Sequence, residues 1–158
     1  MLPIQSGRPW SLDGFAPDKV LVIYFGYTTC LKACPTALNH IAVALDDLGA
    51  EAGTVTPVFV DMDPEKAAEL SLPLYLQGFG PTFLGLTGTP QAVAAAAVSF
   101  GVEVEKLQFS TDADDYAMLH LSPIFVMRPG DDHPVSLPAT STPDEIENAI
   151  RATMAHSG

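Results

Sequence analysis

The sequence predicts an α/β fold: one domain with a central mixed β-sheet and helices on both faces. Three observations predict it. Short apolar runs alternate with segments of helical periodicity, and the chain closes on a hairpin followed by a helix. Its 158 residues, 47% of them apolar, suit a single hydrophobic core. No period repeats and no linker divides the chain, so residues 1–158 read as one domain.

Lys19 to Phe25 is a nearly continuous apolar run that ends at Gly26, the pattern of a buried strand. From Pro35 to Leu48 apolar residues recur at helical spacing (Leu38, Ile41, Ala42, Leu45, Leu48). Pro35 suits the first turn and Gly49 the stop. Val55 to Val60 is the next strand. It runs into Asp61-Met62-Asp63-Pro64, and a helix is predicted from Glu65, weakened near Pro73. Phe83 to Leu86 is a short strand closed by Thr87-Gly88, after which Thr89-Pro90 opens an alanine-rich helix to about Phe100. Residues 101–118 carry many carboxylates and few apolar residues in their second half, and their pattern selects neither helix nor strand. Pro123 to Met127 is a strand, Pro129-Gly130-Asp131-Asp132 a turn, and Val135 to Leu137 the hairpin partner. Thr142 is the N-cap of a last helix, with Asp144 and Glu145 in its first turn, and the chain is expected to fray from His156.

Several function classes fall away at this level. The formal net charge of −12 repels phosphate backbones and argues against nucleic-acid binding. It favours solubility and would also suit a basic partner face. No stretch reaches the 18 or so apolar residues of a membrane span. The blandest run, Ala92 to Val98, is part of a helix. The N-terminus lacks a basic segment followed by an apolar core, so no signal peptide is expected. That leaves either a cytosolic protein or a chain whose leader or anchor has been removed.

The chain has two cysteines, Cys30 and Cys34, too few for a disulfide scaffold. They lie where a strand hands over to a helix, beyond the strand's carboxyl end, the favoured place for sites in open α/β sheets. Backbone N–H groups at a helix N-terminus stabilise an anion, so a thiol there ionises more readily, and the thiolate is both nucleophile and metal ligand. Lys32 between them favours the same ionised forms. Three residues separate the pair, against two in a thioredoxin-type motif. If the segment is wound, the sulfurs sit about one helical turn apart and both can face one soft ion such as Cu(I). The bland alternative is a pair of small buried apolar residues.

Phe25-Gly26-Tyr27-Thr28-Thr29-Cys30-Leu31-Lys32-Ala33-Cys34-Pro35-Thr36-Ala37-Leu38 resembles the signature of the Sco/SenC family. Further matches follow in order. Val60-Asp61-Met62-Asp63-Pro64 resembles the family's strand ending in Asp-Pro, and Leu84-Gly85-Leu86-Thr87-Gly88 its GLTG turn. Asp115-Tyr116-Ala117-Met118-Leu119-His120 resembles its Tyr-then-His stretch, and Pro129-Gly130 the turn beyond. The similarity runs from about Val20 to the last helix. It implies a thioredoxin-like fold and one copper ion, Cu(I) or Cu(II), bound by Cys30, Cys34 and His120. It further implies a metallochaperone that passes copper to the dinuclear copper centre of cytochrome c oxidase, or that maintains that centre's thiols. Its partners would be a copper-receiving oxidase subunit, other copper chaperones or thioredoxin-like reductants. Family members work outside the cytoplasmic membrane, in the periplasm for bacteria, on an N-terminal anchor, which would put Met1 after that anchor. The chain departs from the family at Leu31 (often proline), at Lys32 (often acidic) and at Glu65-Lys66-Ala67-Ala68 after Asp63-Pro64. The family's N-terminal strands are cut short. These departures touch the loop around the ligands, and so the choice of client and the redox potential.

A neutral imidazole from His120 suits both copper oxidation states. Zinc is the chemical competitor, but a structural zinc site needs four protein ligands and only three converge. His40, His133 and His156 are weaker candidates, and Met62, Met118 and Met127 read as core filler before thioether ligands. Asp61 and Asp63 follow a strand end and could hold a ligand by a hydrogen bond or ligate weakly, Asp63 doubling as a helix cap. Asp112, Asp114 and Asp115 read as a solvated loop. Ser122-Pro123 falls where thioredoxin-like proteins often hold a cis proline. Two other functions share these residues. One is a thiol–disulfide oxidoreductase with Cys30 and Cys34 as its redox pair. The other is a peroxidase, which lacks an evident arginine to activate peroxide.

Overall fold

The structure is a computed structural model that describes residues 2–3, 18–26, 33–61, 76–79, 83–87, 89–102, 123–131 and 133–155. Among these residues the strands are β1 (Leu2–Pro3), β2 (Val20–Gly26), β3 (Val55–Asp61), β4 (Leu84–Thr87), β5 (Ile124–Met127) and β6 (Val135–Leu137). The helices are α1 (Ala33–Leu48), α2 (Pro90–Ser99) and α3 (Pro143–Ala155).

The strands form one mixed sheet in the order β1-β4-β3-β2-β5-β6. β2 is buried along its whole length, as its unbroken apolar run requires. It pairs in parallel with β3, from Val20 opposite Val55 to Gly26 opposite Asp61, and antiparallel with β5, with Tyr24 opposite Ile124. β4 lies parallel on the far side of β3. Pro57, inside β3, donates nothing to a ladder, and β4 begins its pairing one residue later, at Val58. β5 and β6 form the predicted hairpin, with Val135 opposite Val126. β1, which no local pattern announces, pairs antiparallel with β4, Leu2 opposite Thr87.

Side chains alternate between the two faces of a sheet. One face is marked by Phe25 and Phe125, whose rings meet Phe100 at the end of α2 with centroids 5.4 and 5.1 Å away. Tyr24 and Phe59 lie on the other face with centroids 6.4 Å apart. Both faces are closed to solvent, α1 and α3 pack together, and α3 also lies against β2 and β5. α1 turns Ala37, Leu38, Ile41, Ala44, Leu45 and Leu48 inward. Ala44 belongs to the core, whereas Ala42 is only half-buried. α3 contributes Ile146 and Ile150. Burying each such aliphatic side chain stabilises the fold by about 1.5–3 kcal/mol.

The helix ends are capped. α1 gives way to Gly49 at φ +62°, a left-handed turn, and then to a 3-10 stretch, Gly49–Thr54, that the periodicity did not predict. Thr89 accepts from the backbone N–H of Ala92 at the start of α2. Thr142 and Glu145 form a capping box on α3. The Thr142 hydroxyl accepts from the N–H of Glu145 (3.2 Å) and the Glu145 carboxylate from the N–H of Thr142 (2.9 Å). The far end of α3 has no basic residue of its own. Arg128, just past β5, supplies one, donating to the carbonyl oxygens of Thr153 and Met154 at 3.1 and 2.6 Å. The predicted helix after Glu65, residues 103–118 and the tail from His156 lie outside the described residues.

Candidate metal centre

Three chain segments meet one end of the sheet. β2 and β3 are parallel and finish level with each other, at Gly26 and Asp61. β5 runs the opposite way, and its first residue, Ile124, stands opposite Tyr24. The chain therefore enters β5 at the end where it leaves β2 and β3. Cys30 falls between Gly26 and Ala33, and His120 falls ahead of Pro123. Both lie outside the described residues. Cys34 is the second residue of α1, so its backbone belongs to the helix's first turn. Lys32, Met62, Asp63, Asp112, Asp114, Asp115, Met118, Ser122 and His156 also lie outside the described residues, and with Ser122 the cis-proline expectation.

Asp61 is described, and it is buried, with 1% of its surface exposed. Alternation along β3 puts it on the face of Phe59 and Tyr24. Among the described residues it is the only acidic side chain enclosed by the core.

The remaining described candidates lie elsewhere in the fold. Met127 is core, 3% exposed. His133 is exposed in the turn between β5 and β6. His40, on α1, donates from Nδ1 to the carbonyl oxygen of Ser141 at 2.9 Å and is half-buried.

One acidic group escaped the sequence reading. Asp47 of α1 and Asp144 and Glu147 of α3 offer carboxylate oxygens within 4.8 Å of one another. The only local signal is the three-residue spacing of Asp144 and Glu147; Asp47 reaches them through tertiary packing. All three donors are oxygens, which suit hard cations, not soft ones. Glu147 is already engaged by Arg151 at 2.9 Å, and Arg151 also meets Glu51 at 2.9 Å. These two carboxylates raise the Arg151 pKa, the Glu147 hydrogen bond most strongly.

Comparison with known proteins places this architecture. A SCO2-like protein of Rickettsia felis is 30% identical over 147 residues, 93% of this chain and 71% of that one. The mitochondrial SCO2 homologue of Homo sapiens is 31% identical over 137 residues, 85% of this chain and 51% of that one. The copper-bound structure of Bradyrhizobium japonicum ScoI superposes with a TM-score of 0.78 at 29% identity, over 96% of this chain and 94% of that one. Its likeness confirms the thioredoxin-like architecture. The SCO1/SenC family model matches residues 4–155, and the chain belongs to that family.

Proposed function

We propose that this chain binds one copper ion as cargo through the thiolates of Cys30 and Cys34 and the imidazole of His120. It hands the ion to a copper-receiving protein such as a cytochrome c oxidase subunit. The observation that supports this most is that Cys34 is the second residue of α1, the helix that follows β2 in the chain, in a family whose Bradyrhizobium member holds copper. A thiolate is favoured near the N–H groups that open a helix, and Pro35, which lacks an N–H, removes no bond there because the first N–H groups of a helix have no intrahelical acceptor. Two sulfurs and one nitrogen fit a soft or borderline ion and accept both Cu(I) and Cu(II). Three ligands leave room for a ligand from the client, so that transfer can proceed by exchange of one donor at a time. The same reading sets the protein on an anchor outside the cytoplasmic membrane, among copper chaperones and thioredoxin-like reductants.

The test is to add Cu(II) to the reduced protein and record its absorption. Intense sulfur-to-copper charge-transfer bands at one copper per chain are expected, lost in Cys30→Ser and in Cys34→Ser. His120→Ala is expected to weaken Cu(II) binding greatly; an unchanged affinity would remove the third ligand and with it the reading. The same helix position supports a second reading, a thiol–disulfide oxidoreductase on the Cys30/Cys34 pair. That reading requires turnover on a disulfide substrate above that of a free dithiol, and no dependence on His120.

A further inference from the structure

We draw no further inference here: the strongest candidate, the side-chain cluster of Asp47 on α1 with Asp144 and Glu147 on α3, is an acidic group at the surface whose Glu147 is already paired with Arg151, and nothing else among the described residues points to a cation there.

Discussion

His40 reaches from α1 to the backbone of Ser141, its Nδ1 donating to the carbonyl oxygen at 2.9 Å. The bond joins the helix that carries Cys34 to the turn that starts α3, a hundred residues later. His40→Ala leaves that half-buried carbonyl without this donor and is expected to destabilise the fold by about 1–2 kcal/mol. His40→Asn, whose amide can stand near the place of Nδ1, should recover part of the loss. Urea unfolding with an unchanged slope is the measurement; a midpoint for His40→Ala equal to wild type would show that the bond contributes nothing.

Arg128 closes the carboxyl end of α3 from outside the helix, through Nε to Thr153 and Nη2 to Met154. Its planar fork serves two carbonyls at once, which a lysine ammonium does less well. Arg128→Met is expected to cost about 2 kcal/mol, and Arg128→Lys to restore less than half of it. Amide exchange should reveal the site of the damage, since the last turn of α3 would lose protection before the core strands do. Uniform loss across the molecule would contradict the capping role.

Gly49 and Gly53 separate backbone strain from crowding. An added Cβ meets no atom within 4 Å at either position, but Gly49 has φ +62° and Gly53 carries no positive φ. Gly49→Ala is therefore expected to cost about 1–2 kcal/mol through the left-handed backbone alone. Gly53→Ala should be neutral or stabilise by up to about 1 kcal/mol, because it narrows the unfolded ensemble. Thermal melts of the two variants side by side test the contrast, which equal shifts would refute.

Much of the architecture is written in short windows of the chain. The run from Val20 to Phe25 could only be a strand covered on both faces, because it offers no polar side to water. The spacing of Leu38, Ile41, Leu45 and Leu48 sets the inner face of α1, and Thr142 with Glu145 marks where α3 begins. The pair Cys30 and Cys34 is equally local, since a strand end, a glycine and a proline bracket it. Other features have no local signature. β1 is two residues long and exists only because β4 offers an edge to pair with. The Asp47, Asp144 and Glu147 group needs α1 and α3 side by side.

What the amino-acid order settled by itself is therefore the alternation of strands and helices, the place of the cysteine pair between a strand and a helix, and the kinship with the SCO1/SenC family. Periodicity, turn residues and motif spacing act over ten or twenty neighbours and survive without knowledge of the rest of the chain. Tertiary structure alone decided that Asp61 is buried beside Gly26, that His40 is spent on Ser141 and that Arg128 finishes α3. Each of those facts depends on strand order and register. These follow from how two faces of one sheet are covered at once, a condition that no single segment carries.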